Sequence, residues 1–365
     1  MHLVFTVTTD LSYDQRMQRI CNSLARNGYS VTLVGRQKQN SNALLPQAFQ
    51  QKRIYCLFQK GFLFYAEYQI RLFFFLLLKK MDAVCAIDLD TILPCLFISG
   101  IKSIPRVYDA HELFTEMKEV RSRSFINKVW TAIERFAVPK FRHGYTVSDG
   151  LKKEFFKRYA VTYTTIRNIP PLDAEPLPID TNAFIIYQGM VNEGRGFEYL
   201  VPAMKYVDQT LLICGDGNFM PQLKSLIHKQ GLQDKIILKG LVLPSLLKDI
   251  TRQAIIGINL VEKEGLNQYY SLPNKFFDYI QAGVPQITMG YPEYKNLNDQ
   301  YGVAILLDDL DVNLIADAIN RLLKNETLRN ELRKNCKRAK LDLNWQVEEK
   351  KLVSFYQNLL TYPAV

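Results

Sequence analysis

No two of the six cysteines form a CxxC pair. Cys21, Cys56, Cys85, Cys95, Cys214 and Cys336 are scattered, several of them in apolar strand-like runs. That spacing speaks against a zinc site or a disulfide framework and fits a reducing cytoplasm. There is no low-complexity tract and no clear repeat. The opening "MHLVFTVTTD" enters a strand at once, with no basic n-region and no cleavage site, so no secretory signal is expected. The purely apolar run Leu72–Leu78 falls far short of the ~20 residues that span a bilayer. None of the glycine turns has GxGxxG spacing, which removes the dinucleotide fingerprint. No recognised nucleic-acid motif accompanies the basic charge, so nucleic acid is not an expected partner.

What is present is a soluble composition with an uneven charge. Of 365 residues, 48% are hydrophobic and 22% charged, enough for two ordinary domains with sizeable cores. Residues 1–170 carry 25 Lys and Arg against 13 Asp and Glu, while residues 171–365 carry 21 against 23. The basic half suits an anionic partner such as a membrane surface or a phosphorylated acceptor; a solvated basic face explains it equally well. The stretch "FLFYAEYQIRLFFFLLLKK", residues 62–80, is expected to form a helix buried against a sheet. The alternative is a helix whose aromatic face and flanking lysines lie in a membrane interface.

Short apolar runs alternate with helical patterns along the whole chain. Strands are expected at 3–7, 30–34, 53–58, 83–87, 106–109, 144–147 and 164–167, then at 184–188, 210–214, 235–239, 256–261, 285–289 and 303–307. Helices fall between most of them, including 15–27 and 126–136; residues 312–340 look helical, and 346–360 like one last helix. Alternation with near-continuous apolar strands predicts an α/β protein of two Rossmann-like domains with parallel sheets. The proline-rich "RNIPPLDAEPLPIDTN", residues 167–182, reads as the linker. Domains of 1–170 and 171–345 follow, with 346–365 as a C-terminal helix expected to cross back to the first domain.

Ligands of open α/β sheets bind beyond the carboxyl ends of the strands. The residues there include Asp88–Asp90, Asp109–His111, Gly189, Gly215, Gly217, Gly240 and the segment 262–274. In "SLPNKFFDYIQAGVP", residues 271–285, Ser271 is a candidate N-cap and Pro273 sits in the first turn. Free N–H groups of that turn make an anion site. Asn274, Lys275 and Asp278 share a face with Ser271. A lysine on a helix N-terminus suits a phosphate, and an acid one turn on suits sugar hydroxyls, so the set fits a nucleotide's diphosphate and ribose. A capped surface helix with a Lys275–Asp278 pair is the competing explanation. Arg195 stands between Gly194 and Gly196, where backbone approaches closely and a guanidinium forks onto phosphate. His111, flanked by Asp109 and Glu112, is a candidate at the other sheet's strand ends. "DLDT", residues 88–91, resembles a metal-binding Asp-x-Asp, but Lys275, Arg195 and the helix N-terminus already supply positive charge, so no metal is expected.

These residues resemble a family. "YDQRMQRICNSLARNGYSVTLVGR", "YDAHE", "TVSDGLKKEF", "IRNIP", "GMVNEGRGFEYLV" and above all "PNKFFDYIQAGVP" are similar to segments of retaining GT-B glycosyltransferases of glycosyltransferase family 4, the glycosyl transferases group 1. Nearly the whole length fits. Arg195 takes the position of a family lysine. Tyr270 and Asp278 stand where the family has two glutamates, Met190 where many members have an arginine, and "TTDLSYDQR" where a glycine-rich turn is usual. The resemblance implies transfer of a sugar from a UDP- or GDP-type donor to an acceptor hydroxyl with retention, without a metal or other cofactor. The donor would lie on the second domain and a saccharide or lipid-linked acceptor on the first. His111, Arg195 and Lys275 would carry the chemistry; Gly189, Gly215, Gly217, Gly240, Ser271, Asn274 and Asp278 would bind donor. The implied setting is bacterial surface-polysaccharide or glycolipid assembly, in the cytoplasm or peripheral on the inner membrane face. A sugar-nucleotide epimerase and a degenerate transferase acting as a binding partner remain as alternatives.

Overall fold

The computed structural model describes residues 1–361 apart from Tyr13 and residues 175–183. The expected linker therefore lies partly outside the described residues. The chain divides into two compact units, Met1–Arg167 with the chain from Glu348 onward, and Asn168–Val347.

The first unit is built on seven parallel strands: β1 (His2–Thr6), β2 (Ser30–Gln37), β3 (Gln50–Tyr55), β4 (Ala83–Ile87), β5 (Arg106–Ala110), β6 (His143–Thr146) and β7 (Thr164–Thr165). Their spatial order is β3-β2-β1-β4-β5-β6-β7. Central β1 and β4 are apolar nearly throughout because helices cover both faces, whereas edge strand β3 alternates in exposure. β3 starts three residues before the expected 53, since an edge strand needs no continuous apolar run to announce it. Helix α1 (Gln15–Arg26) is capped by Asp14, whose carboxylate accepts from the Met17 amide at 3.0 Å. Tyr356, on the helix Trp345–Thr361, packs tilted against Phe5 and edge-on against Tyr145.

Helix α2 (Gly61–Leu78) departs from expectation. It buries only Phe64, Tyr68, Leu72 and Leu76, one stripe at i, i+4 spacing, rather than its whole surface. At 18 residues with mean hydropathy 1.4 it also has the length and composition of a bilayer-crossing helix, which its seven-residue apolar run hides. Helix α3 (Ile92–Lys102) packs beside it, and Lys102 Nζ donates to the Lys79 carbonyl at 2.9 Å, joining their C-terminal ends.

The second unit has six parallel strands: β8 (Phe184–Gln188), β9 (Thr210–Cys214), β10 (Ile236–Gly240), β11 (Ile256–Asn259), β12 (Gln286–Met289) and β13 (Ala304–Leu307), in the order β10-β9-β8-β11-β12-β13. All lie within two residues of their expected positions. The start of the proline-rich segment is part of this unit. Asp173 is buried, forms an ion pair with Arg252 and another with Lys248 at 3.1 Å, and its carbonyl accepts from Lys340 Nζ at 2.8 Å. Residues 312–340 are helical as expected, in two helices, Val312–Lys324 and Glu326–Asp342. Asn325 separates them, its side chain capping the second helix through the Leu328 amide.

In each sheet the strand order reverses once, between β1 and β4 and between β8 and β11. Such switch points open a crevice at the strands' carboxyl ends. That rule selects the two places where chemistry is to be sought.

Candidate functional site

At the switch point of the second unit, β8 ends on Gln188–Gly189 beside the helix Asn274–Ala282. This helix begins at Asn274 with Pro273 as its N-cap residue and no side-chain cap. Ser271 is not the cap: its hydroxyl donates backwards, to the Gln268 carbonyl at 2.9 Å. Pro273 thus fixes the entry, and the first-turn amides are left uncapped by side chains. Phe276, Phe277 and Ile280 anchor the helix in the core.

Lys275 points the other way and is nevertheless buried, 8% exposed. Its Nζ sits 3.7 Å above the Tyr187 ring and has no hydrogen-bond partner among the described residues. Burial first, then the charge of Arg195, pushes its pKa well below the usual lysine range; Asp278 pulls weakly the other way. Arg195 is half-buried between Gly194 and Gly196, whose φ angles of +75° and +70° are glycine territory. Gly189, at φ +116°, leaves room for the lysine stem: a Cβ there would lie 3.5 Å from Lys275 Cε. Two cations are thus held close together with a weak local counter-charge. An unpaired buried ammonium is costly, and a doubly charged anion reverses that cost.

Asp278 is held rather than free. Gln188 Nε2 donates to it at 3.0 Å, and Thr251 Oγ1 in turn donates to Gln188 Oε1 at 2.6 Å. This relay fixes the carboxylate one turn along from Lys275.

In the first unit the strand-end charges are satisfied by one another. Arg16, on α1, donates to Asp109 at 2.8 Å, and its Nε lies 2.7 Å from His111 Nε2, both residues largely buried. His111 Nδ1 lies 3.3 Å from Asp88, and Nε2 lies 3.1 Å from Asp109. Burial lowers the His111 pKa, but Asp109 and Asp88 outweigh it and raise it to about 10. The Arg16 contact asks Nε2 to accept, whereas the imidazolium donates there. Two carboxylates facing one guanidinium favour the second cation, so the upward direction stands. Asp88 adopts φ +55° and accepts from the His111 amide at 3.0 Å, which pins the loop. Buried Asp90, bonded by the Thr8 hydroxyl, is pushed up to about 7 by burial and by Asp88.

The family model for glycosyl transferases group 1 matches residues 170–339. The alpha-D-kanosaminyltransferase of Streptomyces kanamyceticus is 24% identical over 176 residues, which span 43% of this chain and 41% of that protein. Two solved structures align end to end. Sucrose-phosphate synthase from Thermosynechococcus elongatus has a TM-score of 0.78 at 14% identity, covering 99% of both chains. HepE from Anabaena, in complex with UDP and glucose, has 0.77 at 12%, covering 98% of this chain and 99% of that one. The chain has the GT-B fold, and its residues 170–339 match the glycosyl transferases group 1 model.

Within residues 170–339 the expected residues do not all converge. Lys275, Arg195, Gly189, Asn274 and Asp278 gather around the end of β8. Gly215 and Gly217 have a packing role instead: a Cβ would fall 1.8 Å from the Gly189 carbonyl oxygen and 2.3 Å from that of Val191. They let the β9 exit loop lie against the β8 exit loop. Gly240 ends the edge strand, two strands from β8, with open space where a Cβ would go. Ser271 belongs to the preceding turn. In place of the competing Lys275–Asp278 pair, the lysine lies over an aromatic ring. Sequence reasoning missed Tyr187, Gln188 and Thr251; a glutamine closing the otherwise apolar "FIIYQ" was the available signal. It also missed that Arg16 grips His111. No group of three or more His, Cys, Asp or Glu among the described residues is placed to hold a metal.

Proposed function

We propose that this protein transfers a sugar from a UDP- or GDP-type donor to a hydroxyl of a saccharide or lipid-linked saccharide, with retention and without a metal. The observation that carries the reading is the buried, unpartnered Lys275 ammonium beside Arg195, at the switch point of the unit whose residues 170–339 match the group 1 model. The barrier in such a transfer is departure of a nucleoside diphosphate from an oxocarbenium-like sugar. Lys275, Arg195 and the first-turn amides of the Asn274 helix are fixed positive groups for the charge that develops on the leaving oxygen. Held before the reaction, they need no reorganisation during it. Asp278 is set to take ribose hydroxyls. A role in surface-polysaccharide or glycolipid assembly draws support from the structural likeness to WaaG, described as a glycosyltransferase involved in lipopolysaccharide biosynthesis.

The test is calorimetry with UDP, GDP and ADP, then product analysis of sugar nucleotides with and without acceptor. One of the nucleotides binds the parent, and Lys275→Ala and Arg195→Ala bind it more weakly by roughly tenfold or more each. If both variants bind like the parent, the phosphate assignment is wrong. Conversion without acceptor to an isomeric sugar nucleotide identifies an epimerase. Tyr270, standing where the family has a carboxylate, favours one second reading: a protein that binds donor without transferring it, seen as binding with no product.

A further inference from the structure

Helix α2 presents two opposite faces, and both are apolar. The stripe Phe64, Tyr68, Leu72, Leu76 is buried, and the Tyr68 hydroxyl donates to the Val7 carbonyl, just past β1. Two positions round the helix, about 200° away, runs a second stripe. There Phe62 is 78% exposed, Ile70 60%, Phe74 57% and Leu78 86%. A surface helix of a water-soluble protein carries polar residues on that side. Here the charged pair, Glu67 and Arg71 at 2.8 Å, lies to the flank and neutralises itself. Neighbouring α3 continues the surface with exposed Phe97 and Ile101, and the Lys102–Lys79 bond places Ile101 at the same end as Leu78. Contiguous apolar surface of this extent marks an interaction site.

Charge selects the occupant. Lys60 precedes the helix, Lys79 and Lys80 follow it, and Lys102 closes α3. Lysines at the ends of an apolar face extend along it with their ammonium groups reaching anionic headgroups. A second copy of this chain is disfavoured, because an isologous contact sets these lysines against themselves. A spanning orientation is excluded by the inner stripe, which is buried and tied through Tyr68 to the Val7 carbonyl just past β1. The geometry points to α2 lying flat in the surface of an anionic bilayer, its Phe62–Ile70–Phe74–Leu78 stripe inserted among the acyl chains. This rests on the first unit alone and stands or falls independently of sugar transfer.

Flotation of the full chain with phosphatidylcholine vesicles, with and without phosphatidylglycerol, tests it. The parent floats with the anionic vesicles and less with pure phosphatidylcholine, and high salt weakens its binding to the anionic vesicles. Ile70→Glu with Phe74→Glu lowers the partition coefficient by roughly a hundredfold, as expected from removing two inserted apolar side chains. Its thermal midpoint and any nucleotide-induced shift stay those of the parent, which separates this failure from failure of the donor site. If the double variant does not fold, Phe74→Trp gives emission that brominated acyl chains quench beyond the parent's background. Flotation of the double variant equal to the parent, no flotation of the parent, or an unquenched Trp overturns the proposal. So does a lipid-free dimer that the double variant dissolves, which assigns the stripe to a second copy.

Discussion

The two units share a parallel, doubly wound topology with one switch point each, yet they treat charge in opposite ways. In the first, Arg16, Asp109, His111 and Asp88 close on one another, cation against anion. In the second, Lys275 and Arg195 stand together, and the lysine ammonium has an aromatic ring where an anion would be expected. Topology determines where a crevice forms; which charges are left unpaired determines what it takes. The first network spends its ionic capacity on holding a histidine in place. The second holds stored electrostatic energy that only an incoming anion releases.

The sharpest way to break the comparison is the same chemical change in both places. Arg16→Met leaves Asp109 fully buried with its main counter-ion gone, and removing one partner of a buried pair costs about 3–5 kcal/mol. Thermal or denaturant unfolding should show that loss. Lys275→Met has the opposite sign. Tyr187 returns at most about 2 kcal/mol as a cation–π contact, less than the several kcal/mol spent desolvating an ammonium. Replacing it with an apolar side chain of similar length stabilises the unliganded protein by about 1–4 kcal/mol, while abolishing the shift that UDP or GDP produces. A destabilised Lys275→Met that still responds to nucleotide would show that the lysine is an ordinary structural residue.

The same contrast explains what could be read in advance. Strands of the second unit were legible because central parallel strands are continuously apolar, and "FIIYQ", "TLLIC" and "PQITM" declare themselves. Edge strand β3 did not, and its start was misplaced. Lys275 stood out in its helix because first turns favour acids. Its surroundings did not, because Tyr187 and Lys275 are 88 positions apart and meet only through packing. Ser271 looked like a cap by residue type, but Pro273 starts the helix and Ser271 turns back to Gln268. Helix α2 was misjudged for a related reason. Composition says that a segment is apolar, and only the fold says which of its faces is covered.

The smallest effect is a fraction of a proton, and it separates the two units most cleanly. Lys275 has its pKa lowered by burial and by Arg195, so the free protein holds that proton less tightly than an exposed lysine does. A diphosphate placed against Nζ raises the pKa again. Binding therefore takes up protons, and affinity falls as pH rises through the free-protein pKa, by at most about tenfold per pH unit. His111 behaves otherwise: its carboxylates already hold its pKa at about 10, so it stays an imidazolium at neutral pH whether or not nucleotide is bound. Calorimetry in buffers of different ionisation enthalpy measures the uptake directly. The parent should take up at most one proton, the uptake growing as the pH rises through the free lysine's lowered pKa. His111→Gln should leave that uptake in place, and Arg195→Ala should shrink it, because the free Lys275 then keeps its proton more firmly. Release of protons, or uptake that depends on His111 and not on Arg195, would move the anion site from the second unit to the first.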